Sequence, residues 1–229
     1  MNIDSAMAQA IRARNFLWAT FLVMGVSSMA WVPRIPEIKE QLGLRDGLFG
    51  LVILSGAAGS ILGAQIAGRA IHLIASRLFL RFCAVLMPIG IYTIGSAKSA
   101  SVLVIGLFLT GLSFSALDVA ANVQAMAIEN LSKARYMSSF HALWSVGAFA
   151  VTLLGGIAAK FITPQQHMHY LALSCSVIYQ LTITGLLPAN LDGHRGGEHE
   201  ETKAKVPFFS KDSLKLWALG IGLMASFLP

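Results

Sequence analysis

One carboxylate, Asp118, sits in a run that is otherwise fit for hydrocarbon; between Ser99 and Ile128 it is the sole charged residue. An acid group in that setting costs roughly 2.5–3.5 kcal/mol on insertion scales, so it faces a partner or a water-filled cavity. Helical spacing puts Gly111, Ser115, Asp118, Asn122 and Glu129 on one side of a single helix. Beyond a short loop with Lys133 and Arg135, a second apolar run carries His141, Trp144, Ser145, Ala148 and Thr152 on one face. A desolvated carboxylate beside a histidine on an antiparallel neighbour suits the uptake and release of a proton, with Asp118 and His141 as the coupling pair. The competing reading is structural: an acid that braces its own helix through Asn122, and a histidine satisfied by packing. Nucleophile–base pairs, H-E-x-x-H and Gly-x-Ser-x-Gly are all missing from the sequence, so an enzyme reading has no support. His194 and His199 have no metal-ligand spacing, and neither a metal nor a cofactor is expected; His167 and His169 read the same way, as loop residues without a site.

The elements that must hold these residues are membrane helices. The chain has 229 residues, 55% hydrophobic and 12% charged, with a mean hydropathy of +0.68; soluble domains carry about a quarter charged residues. Six apolar segments, about 14–33, 48–71, 78–97, 100–128, 138–161 and 167–188, each approach or exceed the ~20 residues that cross a bilayer core as a helix. They are too long and continuous for barrel strands. The fold class is therefore an all-α, multi-pass membrane protein with the bilayer as its main partner. The net charge of +6 lies in short loops and points to membrane topology, not to nucleic acid. With the N-terminus inside, Arg12, Arg14, Arg69, Arg77, Arg81, Lys133 and Arg135 join the basic residues of 195–215 on one side, against Arg34, Lys39, Arg45, Lys98 and Lys160 on the other. The positive-inside rule then sets the N-terminus in the cytoplasm.

Along the chain, Trp31-Val-Pro33-Arg34-Ile-Pro36 closes the first span and an amphipathic connector follows. The second span, with Gly59 and Gly63 in a G-x-x-x-G, is built for close helix packing. Residues 68–77 read as a short basic turn. The third span is poor in polar residues and expected to face lipid, with a kink at Pro88. Ser138 and Ser139 are the expected caps of the fifth span. Cys83 and Cys175 fall inside apolar spans as small core hydrophobes. Residues 189–213 turn polar and Gly-rich, the composition of a cytoplasmic linker. The last run, 214–229, begins a seventh span and stops short.

Six spans, a basic loop and a seventh span resemble the first half of a major facilitator superfamily transporter. Trp31-Val-Pro-Arg34-Ile-Pro-Glu-Ile-Lys39, Leu117-Asp118-Val-Ala-Ala-Asn122-Val-Gln124-Ala and Met137-Ser-Ser-Phe-His141-Ala-Leu-Trp144-Ser-Val-Gly147 are similar to a bacterial inner-membrane branch distantly like the fucose–proton symporter. The resemblance implies a six-helix N-terminal bundle of a twelve-span fold, built from two inverted three-helix repeats, with a second bundle missing from this chain. It implies transport of a small solute across the plasma membrane by alternating access, with protons as the coupling ion and Asp118 as the carboxylate that loads them. Trp31, Ser115, Asn122, Trp144 and Ser145 would line the solute path, with Arg34 at its outer rim. The family's loop motif between the second and third spans survives only as Arg69 and Arg77, with Gly68 in place of its acid, so the gate relay is expected to be weak or rewired. The alternatives are a truncated, non-transporting membrane fragment and a half-transporter that pairs with itself.

Overall fold

The computed structural model describes residues 3–192, with side chains from Ser5 onward. The rest of the expected linker and the incomplete seventh span lie outside the described residues. Within them the chain is helical and has no strand. The helices are α1 (Ile3–Ser28), a 3-10 turn (Val32–Arg34), α2 (Ile35–Gln41), α3 (Asp46–Leu73), α4 (Ser76–Gly95), α5 (Ala100–Ser132), α6 (Met137–Ala158) and α7 (Pro164–Thr184).

Five stretches are long and apolar enough to cross a membrane: Ser5–Gln41, Asp46–Leu73, Ser76–Gly95, Ala100–Ser132 and Met137–Ala158. At the place of the sixth expected span, α7 is 21 residues long but less apolar, because Gln165, Gln166, His167 and His169 crowd its first turns. Large apolar side chains stand exposed along the outer faces: Leu51, Leu54 and Ile61 on α3, Phe82 and Val85 on α4, Phe149 and Leu154 on α6, Leu173 and Leu181 on α7. On a water-soluble protein such a surface would aggregate; in a bilayer it faces acyl chains. This is a multi-pass membrane protein.

Several boundaries move for local reasons. Helix α1 starts about ten residues before the expected span, because Ala6, Ala8, Ala10 and Ala13 favour helix and Ala10 and Ala13 are buried. The expected basic turn at 68–77 shrinks to Ile74 and Ala75, since α3 continues to Leu73. Helix α4 runs through Pro88 and is not a lipid-facing helix overall: Leu80, Ala84, Met87, Ile91 and Ile94 are buried against α5 and α7. The start of α6 is not capped by Ser138 or Ser139. Tyr136 occupies the cap position with no side-chain bond, and the Glu129 carboxylate accepts from the Tyr136 and Met137 amides, the latter at 2.8 Å. A carboxylate suits a helix N-terminus electrostatically.

The packing has an exchange symmetry. Helix α1 lies parallel on α6, and α5 lies parallel on α3, as the contacts Trp18–Ser139 and Gly25–Ala148, and Ser55–Val104 and Gly63–Leu112, show. The antiparallel contact of α1 with α7 corresponds to that of α5 with α4; α1·α5 and α4·α7 map onto themselves. Swapping the unit α1, α3, α4 with the unit α5, α6, α7 therefore reproduces the main helix pairings, and α1 and α5 run in opposite directions. Both parallel crossings rest on glycine. A Cβ on Gly25 would lie 2.0 Å from the Trp144 carbonyl, and one on Gly147 2.1 Å from that of Leu22. At the other crossing, a Cβ on Gly59 would lie 2.2 Å from the Phe108 carbonyl, and one on Gly111 2.0 Å from that of Gly56.

Candidate functional site

Three helices bring the candidate residues together. Helix α1 is pulled onto α6 by the glycine crossing, and the aromatic contacts continue from it: Phe21 stacks on Phe140 at 5.5 Å and meets His141 edge-on at 5.2 Å. Helix α5 brings Phe114 to within 6.2 Å of Trp144, ring centre to ring centre. One turn along α5 from Phe114 lies Asp118, half-buried, with His141 within electrostatic reach. The Asn122 side chain donates to the Asp118 main-chain oxygen at 2.9 Å. Among the described residues the ion pairs are Arg34–Glu37 and Lys39–Asp46, and neither involves Asp118. An acid next to an amide and left without a cationic clamp can exist in either protonation state.

The other expected residues fall in different surroundings. Ser115 and Asn122 are half-buried on α5, whereas His141, Ser145 and Thr152 are exposed on α6. Ser145 donates to the His141 carbonyl at 3.1 Å. The Trp144 indole N–H is buried and lacks an acceptor among the described residues. Trp31 is partly buried against the core and precedes the 3-10 turn. The polar stripe expected on α5 does not form one surface. Gly111 is consumed by the crossing with α3, and Glu129 turns away to the start of α6. Arg34 is fully buried: its Nε donates to His167 Nδ1 at 3.1 Å, Nη1 to Glu37 at 2.9 Å and Nη2 to the Ile162 carbonyl at 2.8 Å. At the basic end, Arg69 is exposed, while Arg77 donates to the Ile183 carbonyl at 3.1 Å and to that of Thr184.

Sequence reasoning missed two polar assemblies. At the basic end the Asp192 carboxylate accepts from the Ser76 amide at 2.9 Å and its hydroxyl at 2.7 Å. Gln124 donates to Ser76 Oγ at 2.8 Å and exchanges hydrogen bonds with the Leu187 backbone. Asp192 thus caps the start of α4, and Arg77 serves the last carbonyls of α7. The polar linker expected from 189 therefore begins with a buried anchor. Asp192 beside a glycine-rich run offered no sequence signal, because its partner lies 116 positions away. The second assembly joins Arg34 to His167, which is buried, not a loop residue; His169 stacks on Tyr92 at 4.0 Å and pairs with Ser96.

A two-repeat helical bundle with a lipid-facing exterior and an unclamped acid among its inner helices is an architecture suited to membrane transport. The sequence profile described as the Major Facilitator Superfamily matches residues 16–228, and the chain belongs to that family. It is 32% identical over 169 residues to an "Uncharacterized transporter y4wD" of Sinorhizobium fredii, covering 74% of this chain and 43% of that one. It is 30% identical over 181 residues to "Membrane protein MosC" of Rhizobium meliloti, covering 78% and 43%. A "Sodium-dependent glucose transporter 1" of Rattus norvegicus is 26% identical over 140 residues, covering 61% and 29%. The chain spans less than half the length of the curated relatives it matches.

Proposed function

We propose that this bundle is one half of a proton-coupled secondary transporter of a small polar solute, working by alternating access in a bacterial inner membrane with the N-terminus in the cytoplasm. The observation that carries this reading is Asp118: a half-buried carboxylate inside a membrane helix, next to Asn122, near His141, and outside the ion pairs of the described residues. In one orientation of the two halves it loads a proton; in the other, a changed environment releases it. Asn122, Ser115, Ser145, Trp31 and Trp144 are assigned to the solute path, with Phe114 and Trp144 as an apolar wall. Arg34 contributes through its buried bonds, by holding the first connector in place. Transport needs a second bundle facing this one. The names of the mammalian relatives, which specify sodium and glucose, make a sugar-sized polyhydroxy solute the first to test.

The test is uptake into proteoliposomes holding a full-length relative in which Asp118, Asn122 and His141 have counterparts, under an imposed pH gradient or an imposed sodium gradient. Uptake driven by the pH gradient, and lost to the level of protein-free liposomes when the acid is changed to Asn, supports the assignment. Uptake driven by sodium alone, or unaffected by the change, removes Asp118 from the coupling role.

A further inference from the structure

At the end opposite the basic loops, Arg34, Glu37, His167 and the Ile162 carbonyl form a closed set joining the first connector to the loop between α6 and α7. Arginine has donors only and does not deprotonate in proteins. The imidazole nitrogen that receives its Nε, at 3.1 Å, must therefore present a lone pair, which leaves His167 neutral with its proton on Nε2. Space is tailored for this ring: a Cβ on Gly155 would lie 2.9 Å from His167 Cε1 and 2.5 Å from Pro33 Cγ. We propose that this contact is an acid-released clasp, which holds the connector at 31–41 against the α6–α7 loop while His167 is neutral and lets it go when His167 takes a proton.

A protonated ring would turn an N–H toward the Arg34 N–H, replacing an attraction with two donors face to face. Two buried cations would then share the Glu37 carboxylate, which already receives both bonds from Arg34 Nη1. Arg34 from the 3-10 turn and Glu37 from α2 are the charged groups acting on His167. Helix α6 offers it Gly155, the α6–α7 loop offers Arg34 a carbonyl, and His169 on its own helix turns to Ser96 and Tyr92 of α4. Imidazole ordinarily titrates near 6.5, so the clasp holds at pH 8 and weakens as the pH falls below about 6.5. Release of the clasp requires no proton coupling at Asp118.

Hydrogen exchange on the 229-residue chain in lipid nanodiscs, read on peptides covering 30–42 and corrected for the intrinsic pH dependence of exchange, tests it. Protection there should fall about tenfold or more between pH 8 and pH 5, the effect of losing a hydrogen bond to a charged group. In His167→Asn, whose side-chain oxygen sits on Cγ as Nδ1 does and accepts from Arg34 without titrating, protection should be the same at both pH values. Unchanged protection in the native chain, or the same pH response in the variant, overturns the proposal. Should the variant fail to fold, nitrogen-15 histidine spectra of the native chain decide: a proton on Nδ1 of His167 at pH 8 would also overturn it.

Discussion

Asp118 and Asp192 are both carboxylates within the bundle, yet their partners give them opposite characters. Asp192 is bound by the Ser76 amide and hydroxyl, and Ser76 is bound in turn by Gln124, so each member of the set is oriented by another. Asp118 has Asn122 and an imidazole within reach, and no ion pair among the described residues. Substituting Asp192 should therefore register in stability. Asp192→Ala leaves the Ser76 amide without its acceptor at the start of α4 and should cost about 1–3 kcal/mol. Asp192→Asn, which still accepts, should cost less. Thermal unfolding of the detergent-solubilised chain checks both, and equal loss in the two variants would mean that charge, and not capping, is what Asp192 contributes. Glu129→Ala should weaken the start of α6 in the same way, by about 1 kcal/mol, visible as faster exchange of the amides at 136–138.

The helices are placed by small residues more than by large ones. In lipid there is little hydrophobic drive between helices, so close backbone contact supplies the packing. Gly59 and Gly68 lie on the same helix and separate this effect from intrinsic propensity. A Cβ on Gly59 meets the Phe108 carbonyl at 2.2 Å, whereas one on Gly68 meets nothing within 4 Å. Gly59→Ala should destabilise by about 1–3 kcal/mol through forced separation of α3 and α5. Gly68→Ala should be neutral, or stabilise by up to about 1 kcal/mol, because alanine restricts the unfolded chain. Melting temperatures of the two variants, measured side by side, fall for Gly59→Ala and not for Gly68→Ala if backbone approach is what holds the crossing. Helix ends follow different chemistry: α7 starts on a capping box made by Thr163 and Gln166, whereas α6 and α4 borrow acids from elsewhere in the chain.

Across the bundle, the exchange symmetry of the contacts means that the two parallel crossings, α1 with α6 and α3 with α5, occupy equivalent places in the two repeats. A domain that rocks as a body needs those crossings to stay shut, and bulk added at either should be equally harmful; Gly147→Ala is expected to lose about 1–3 kcal/mol, as Gly59→Ala does. The charge distribution sets the orientation expected for the bundle as a unit. A thiol reagent that cannot cross membranes should label Lys160→Cys from outside intact cells and Lys133→Cys only after permeabilisation. Both positions are exposed and both native cysteines are buried, so background labelling is low. The reverse pattern would invert the topology.

The helical membrane class and the lone acid in an apolar run were legible in the sequence, because bilayer thickness and the cost of charge in hydrocarbon act on local runs of residues. The cysteines in the core and the glycines at the α3–α5 crossing were legible for the same reason. Other assignments depended on residues far apart in the chain: Arg34 with His167 at a separation of 133, Ser76 with Asp192 at 116. Composition marked Asp192 as linker and His167 as loop, and only the return of α7 along α4 and beneath the first connector made either of them a buried partner. Local hydropathy decides whether a segment enters the membrane; which polar side chains become buried with it is decided by the neighbours that the packing brings, and those follow from where glycine lets two helices touch.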